Sequence, residues 1–377
     1  MPSRTLTIVA SDVAPTGGME RVMHALAVRL LERGWQLTVI ARRCDIPAQP
    51  ALRHVVLRRP ARPRTANAIA DFVHGAWAVH RHRRGLVHTN NAVIPNRVDV
   101  ITAHFCEHAF HARSGPSRAR RATLAYRLNS WLSGALARAF ERWSYRPGRV
   151  RRVACVGTGL AGEIRAAFPA VAGVVTTISN GVDHAAFAPP ADGGAAERAR
   201  LGLPPDAPVA LFIGGDWVRK GLREAIDGIA AAPGWRLLVA GAGDQERFAE
   251  HARRAGSGER VRFLGSLDDP RPAYWAADAL VLPTAYEAFS LATLEAAAAG
   301  LALVVTRVNG TDELVRPGVN GFFCERDGAD IGARLRELAA DRALLAAAGR
   351  EARRGAEAYD WERVADAYER LYAALGG

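Results

Sequence analysis

The 377-residue sequence is poor in long apolar runs. Nowhere do about 18 uncharged apolar residues follow one another, which argues against a membrane-spanning helix. Cysteine is scarce. Cys44, Cys106, Cys155 and Cys324 are scattered, with no CxxC pair. That argues against a disulfide framework and reads as free thiols in a reducing compartment. The opening MPSRTLTIVASD lacks the apolar length and cleavage site of a signal peptide, so a cytoplasmic protein is expected. No GxGxxG with an acid about 20 residues on is found, which argues against a dinucleotide-dependent dehydrogenase.

What is present is a globular composition, 49% hydrophobic and 23% charged. The length suits two domains, each with its own core. The net charge is +12, and much of it is local. Between Arg113 and Arg152 there are eleven arginines and one acid, Glu141. Charge concentrated on one segment suggests a surface patch facing something anionic. Nucleic acid is not the expected partner, because the basic stretch carries no base-stacking aromatics on strands.

The chain alternates short β-rich runs with helical patterns. LTIVA (6–10) leads through APTGG into MERVMHALAVRLLERG, where Met19, Val22, Met23, Leu26 and Leu30 recur at three and four. QLTVIA (36–41), HVVL (54–57), LVHT (86–89), VDVITAH (98–104), RVACV (152–156) and VVTTIS (174–179) follow. APPADGG (188–194) reads as a domain entry. A second alternation then runs through VALFIGG (209–215), RLLVAG (236–241), VRFLG (261–265), DALVLP (278–283), LALVVT (301–306) and FFC (322–324). Two doubly wound α/β domains in tandem are predicted, at 1–186 and 187–358. Ligands of such sheets lie beyond the carboxyl ends of the strands, and a cleft between the domains is the natural site.

The segment 117–143 differs. Leu124, Leu128, Trp131, Leu132, Leu136, Phe140 and Trp143 form one helical stripe among arginines. A basic amphipathic helix with two tryptophans suits an interfacial membrane contact. A core-packing helix with a basic outer face suits the pattern equally, and both readings stay open. On the first, Arg118, Arg120, Arg121, Trp131 and Trp143 would meet an anionic membrane surface or an anionic acceptor.

Three stretches can carry chemistry. Gly17-Gly18 place bare amides between the first strand and the first helix, a suitable site for phosphate. A glycine turn there is also common for structural reasons alone. In IGGDWVRKGLREA, Gly214 and Gly215 follow a strand, and Arg219 and Lys220 stand before a helix, where they can neutralise a diphosphate. YEAFSLATLEAAAAG carries two acids, Glu287 in a loop and Glu295 on an Ala-rich helix. Ser290 is a suitable N-cap and Gly300 a stop. The first-turn amides are open to phosphate or hydroxyl oxygens. An acid on such a helix needs donors, and the hydroxyls of a nucleotide sugar are suitable ones. Pairing of Glu295 with an arginine is the structural alternative.

The E-x7-E element EAFSLATLE, with GG before the first helix, RKG, SNGVD (179–183), VAGAG (239–243), VRFLG, ADALVLPT and GVNGFF in that order, resembles the retaining glycosyltransferases of family 4. GGDWVRKG and NRVDVITAHFCEHAF are most similar to lipopolysaccharide-core heptose glucosyltransferases. The resemblance spans nearly the whole chain. It implies a GT-B fold of two Rossmann-like domains, with the final helix, 359–377, crossing back to the first. It implies transfer of a hexose from a nucleotide sugar, with UDP expected, to a saccharide or lipid-linked hydroxyl in cell-envelope glycan synthesis, with no cofactor. Arg219 and Lys220 would bind the diphosphate. Glu287 and the amides of Phe289, Ser290 and Leu291 would hold the donor sugar, and Glu295 the ribose. Gly17 and Gly18 would let the first domain close on the phosphates, and His104 would sit near the sugar. One departure is Gly215, where many members of the family carry an arginine.

No metal is expected. His104, Cys106, His108 and His111 include zinc-type ligands, but they share a face only if the chain stays extended. No Asp-x-Asp is present, and Arg, Lys and helix dipoles can stabilise a leaving phosphate instead. The alternative functions are a nucleotide-sugar-binding protein without transferase activity, or a nucleic-acid-binding protein using the basic 113–152 segment.

Overall fold

The computed structural model describes residues 4–57, 64–114 and 124–376. The chain divides into two compact units, Met1–Gly181 with Trp361–Gly377, and Val182–Asp360. Each is built on one parallel sheet.

The strands of the first unit are β1 Thr5–Val9, β2 Asp12–Val13, β3 Gln36–Ala41, β4 Arg43–Cys44, β5 Leu52–Val56, β6 Leu86–Asn90, β7 Val98–Ala103, β8 Val150–Cys155 and β9 Val175–Thr177. Seven of them form a sheet in the order β5-β3-β1-β6-β7-β8-β9, and β2 and β4 form a separate two-stranded sheet. β1 is parallel to both β3 and β6. The chain therefore winds outward one way through β3 and β5, then returns to lay β6 on the other side of β1. The switch point lies between β1 and β6. Residues of β1 and β6 are almost wholly buried, as expected of central strands covered on both faces.

The final helix, Trp361–Ala373, belongs to this unit. Arg33, near the end of helix Met19–Glu32, reaches Glu362 (2.6 Å), Asp366 (2.6 Å) and Glu369 (2.7 Å) on it. Trp35 Nε1 donates to Glu369 at 2.7 Å. Beneath this clamp, Tyr372 Oη lies 2.7 Å from His88 Nδ1, and Tyr368 Oη lies 2.7 Å from Thr102 Oγ1. The apolar face of the helix is thus fixed to the sheet by a buried polar chain as well as by packing.

Helix Leu124–Ser144 packs on helix Arg64–His82, with Phe72 and Phe140 stacked at 3.9 Å. Trp143 is built into the unit. Its Nε1 donates to Pro95 O at 3.1 Å, and the Arg149 guanidinium lies 4.2 Å from its ring centre. Trp131, in contrast, is 62% exposed. Arg118, Arg120 and Arg121, and the side chains of Leu124 and Leu128, lie outside the described residues. No helix among the described residues is long and apolar enough to cross a membrane.

The strands of the second unit are β10 Val209–Ile213, β11 Arg236–Ala240, β12 Val261–Gly265, β13 Ala279–Leu282, β14 Ala302–Val305 and β15 Gly321–Phe323. They form a parallel sheet in the order β12-β11-β10-β13-β14-β15. The winding is the same, and the switch point lies between β10 and β13. The four-residue apolar runs of β13 and β14 are wholly buried, the pattern of strands sandwiched between helices.

Candidate functional site

In doubly wound sheets the loops leaving the strands at the switch point diverge to opposite faces and leave a crevice. In the second unit those loops follow β10 and β13, and they carry the residues singled out above. The chain leaves β10 through Gly214, whose φ of +137° is open to glycine and strained for other residues. A Cβ there would lie 2.7 Å from Lys220 Cδ, so the lysine stem crosses directly over the glycine. Trp217, buried, donates from Nε1 to Gly214 O at 2.9 Å and holds the turn shut. Asp216, at φ +49°, caps a one-turn helix, Trp217–Lys220. That turn aims Arg219 and Lys220 toward the neighbouring loop.

The neighbouring loop receives them. Glu287 Oε1 accepts from Lys220 Nζ at 3.0 Å, Arg219 Nη1 at 3.3 Å and Thr284 Oγ1 at 3.0 Å. Arg219 Nη1 also donates to Tyr286 O at 2.6 Å, and Ala285 N donates to Arg219 O at 2.9 Å. Three donors therefore converge on one carboxylate oxygen, while Oε2 takes none among the described residues. Lys220 and Glu287 side chains are 13% and 12% exposed, so their pairing is poorly screened. Two cations face one mostly buried acid, with Asp216 at the more exposed rim. A diphosphate can recruit both cations if it competes with Glu287 for them.

The helix beyond is Leu291–Ala298. Ser290 is its N-cap, with Oγ accepting from Thr293 N at 3.2 Å and from Thr293 Oγ1 at 2.8 Å. The acceptor capacity of the Ser290 hydroxyl is therefore spent on the cap. The amides of Phe289, Ser290, Leu291 and Ala292 donate to nothing among the described residues, as expected at a helix start. Glu295, 7% exposed, accepts from Tyr274 Oη at 2.8 Å. Its carboxylate thus already has at least one protein donor.

Sequence reasoning missed three members of this site. Tyr274 and Thr284 hold the two acids. Gly310, in the loop after β14, has φ +83°, and a Cβ there would lie 2.7 Å from Phe289 Cα and 3.1 Å from Ser290 N. It keeps the free amides uncovered. One overlooked signal is in composition: the 50 Lys and Arg residues include a single lysine, and it is Lys220.

The remaining candidates lie in the first unit. Gly17 (φ +88°) and Gly18 precede helix Met19–Glu32, whose N-cap, Gly18, has no side-chain cap. His104 follows β7. It is 7% exposed, and burial pushes its pKa down to about 3, so the imidazole is neutral. Its main-chain N donates to Asn91 Oδ1 at 2.8 Å. Among the described residues, the two non-glycines with positive φ are Asn91 and Asp216, and each follows a strand at a switch point. Gly215 leaves open space where a Cβ would stand, and no side chain there adds charge.

The four zinc-type residues do not share a face. The strand ends at Ala103 and a helix begins at Glu107. Cys106 is wholly buried, and His108 Nδ1 is held by Glu141 at 2.6 Å. A cavity of about 350 Å³ lies along β12, lined in part by Arg236, Arg260 and Arg262. Those guanidinium groups already donate to main-chain carbonyls, so it offers no comparable anion site.

Comparison with known proteins gives the following. Residues 16–186 match the family model described as Glycosyltransferase Family 4, and residues 207–341 match the one described as Glycosyl transferases group 1. The chain is 35% identical to the glycogen synthase of Mycobacterium tuberculosis over 67% of its own length. That alignment covers 61% of the mycobacterial protein. The structure of WaaG, a glycosyltransferase involved in lipopolysaccharide biosynthesis, superposes with a TM-score of 0.81 at 19% identity, over 99% of this chain and 100% of that one. That of Anabaena HepE in complex with UDP and glucose superposes with a TM-score of 0.74 at 17% identity, over 98% and 99%. These likenesses establish the two-Rossmann GT-B fold.

Proposed function

Since the chain belongs to the glycosyltransferases described as group 1 and Family 4, we propose that it moves a hexose from a nucleotide sugar to a hydroxyl, retaining the anomeric configuration. The observation that carries the reading is the cluster at the second switch point. Arg219, Lys220 and Glu287 stand there beside a run of free helix amides. A nucleoside diphosphate supplies acceptor oxygens for those amides and competes with Glu287 for the two cations. UDP is the expected nucleotide, in line with the UDP and glucose bound by HepE.

The chemistry follows from charge. As the glycosidic bond breaks, positive charge grows on the sugar ring and negative charge on the leaving phosphate. Arg219, Lys220 and the amides of Phe289, Ser290 and Leu291 are fixed donors for that negative charge. This proposal therefore includes no metal and no cofactor. Glu287 Oε2 would accept from a sugar hydroxyl, and Glu295, oriented by Tyr274, would accept from the ribose. No side chain is proposed as a covalent nucleophile. The acceptor hydroxyl attacks the face from which the phosphate leaves, and the phosphate takes its proton.

The proposed acceptor is a saccharide or a lipid-linked saccharide of the cell envelope, met at an anionic membrane surface. The support is on the first unit. Ile69, Val73 and Trp77, four residues apart on one helix, are 50%, 57% and 64% exposed, and Trp131 and Leu132 of the helix packed against it are 62% and 42% exposed. Flotation with anionic liposomes tests this point; Trp77→Ser with Trp131→Ser is expected to reduce binding at least tenfold.

The enzymatic reading is tested with UDP-, ADP-, GDP- and dTDP-sugars. One donor should raise the melting temperature and release nucleotide slowly, with and without EDTA. With an acceptor, proton NMR should show a product of the donor's own anomeric configuration. An inverted product, or a sugar–enzyme adduct in the mass spectrum, would overturn the mechanism.

A further inference from the structure

At the carboxyl ends of β6 and β7 the first unit presents a line of polar side chains on one face. Register pairs Asn90 with Thr102, and side chains alternate along a strand. His88 and Asn90 of β6 therefore share a face with Thr102 of β7 and with His104 beyond it. The inner half of the line is fully partnered. His88 Nε2 lies 2.6 Å from Thr102 Oγ1, and both continue to the tyrosines of the final helix.

The outer half is not. Asn90 Oδ1 and His104 Nε2 are buried and have no hydrogen-bond partner among the described residues. Each residue is only 7% exposed. Asn90 Nδ2 reaches Met19 O at 3.5 Å, the limit of a hydrogen bond, which turns Oδ1 away from that contact. Buried polar groups in folded proteins are rarely left unpaired, and two neighbouring exceptions call for an explanation. Strand geometry sets Asn90 and His104 about 8 Å apart at Cα, from a spacing of about 4.8 Å and a two-residue rise of about 6.6 Å. A pyranose ring with its hydroxyls spans such a gap. The uncapped start of helix Met19–Glu32 adjoins Asn90 at Met19.

The chemistry of the two atoms selects the ligand. An amide oxygen only accepts, so an anion gains nothing from it. The neutral imidazole nitrogen accepts or donates, depending on its tautomer. A hydroxyl satisfies both groups, and an apolar ligand satisfies neither. We propose that Asn90, together with His104, forms a sugar-hydroxyl subsite on the first unit, in which Asn90 selects the hydroxyls accepted. This rests on the glycosyl-transfer reading. The hydroxyls come either from the transferred sugar or from the acceptor saccharide.

The test uses the full chain, wild type and with Asn90→Ala or Asn90→Asp. Titrations with UDP, ADP, UDP-glucose and ADP-glucose, then with free glucose, galactose and mannose on the nucleotide-bound protein, give the affinities. Asn90→Ala should weaken one class of sugar about tenfold, the effect of one hydrogen bond, and leave free nucleotide unchanged. Asn90→Asp, which keeps an acceptor oxygen, should restore most of that loss. A loss seen with the nucleotide sugars identifies the transferred sugar; one seen with the free sugars identifies the acceptor. If nucleotide binds but Asn90→Ala alters no sugar, or weakens nucleotide equally, the subsite is overturned while the reading it rests on stands. If wild-type protein binds no nucleotide and no sugar, both fall.

Discussion

Glu287→Gln separates the two jobs assigned to one carboxylate. In the free protein its Oε1 holds Lys220, Arg219 and Thr284. A diphosphate has to draw the two cations away from that oxygen. The Lys220–Glu287 pair is mostly buried, and the Arg219 side chain is 31% exposed, so the first contact matters more. Neutralising the acid in the same shape should remove about 0.5–2 kcal/mol of competition, taking a charged hydrogen bond as about 1.5–3 kcal/mol and a neutral one as about 1. Free UDP should then bind about 2- to 30-fold tighter. The sugar should show the opposite. A hydroxyl donating to Oε2 loses a charged acceptor, so the advantage of UDP-sugar over UDP should shrink by about tenfold or more, and turnover should fall. Calorimetric titration of both ligands against both proteins measures this. If Glu287→Gln weakens UDP as much as UDP-sugar, the acid positions the cations rather than competing for them, and the reasoning fails.

Other outcomes follow from the same geometry. Gly310→Ala should lower stability by about 1–2 kcal/mol for the positive φ alone, read from the urea midpoint, and weaken nucleotide binding because its Cβ crowds the Ser290 amide. Arg33→Met should lower stability by about 1–2 kcal/mol after allowance for solvent screening, since Glu369 keeps its bond from Trp35; limited proteolysis should then release the final helix first. His88 and His104 are each pushed down to about 3 by burial, below the unfolded value of 6.5. The unfolded chain therefore binds more protons as pH falls through 6.5, and stability is lost in that direction. Between pH 7.5 and 5.5 each histidine should cost about 1.4 kcal/mol, and His88→Gln should flatten the slope of stability against pH.

Much of this molecule is legible in its sequence. The thirteen strands of the two large sheets stand where short β-rich runs alternate with helical periodicity, and the central runs are apolar throughout because they are sandwiched between helices and need no polar face. The acids of E-x7-E and the RKG turn were found because charges in apolar surroundings are conspicuous. Other features were not legible, for separate physical reasons. The two-residue strands β2 and β4 are too short for any periodicity. Trp143 and Trp131 lie on one helical stripe, yet one packs against Pro95 and the other faces solvent, a difference set by the neighbouring helix and loop. Tyr274 and Gly310 join the site from 21 residues before Glu295 and from the loop after β14, through contacts that no local spacing encodes. The unpartnered Asn90 could not be read at all, since satisfaction of a buried amide is a tertiary property.

The central claim is that Lys220 meets the diphosphate of a nucleotide sugar. The chain offers an unusually direct probe, because Lys220 is its only lysine. Protein grown with 13C-labelled lysine carries one labelled side chain, and its Cε–Hε resonance reports on the ammonium and on nothing else. Addition of the nucleotide sugar found in the donor screen, or of its free nucleoside diphosphate, should move that resonance saturably, while the nucleoside alone should not. If no nucleoside diphosphate or nucleotide sugar shifts it at millimolar concentration, the diphosphate does not lie where Arg219, Lys220 and the free amides converge, and the proposed site is wrong.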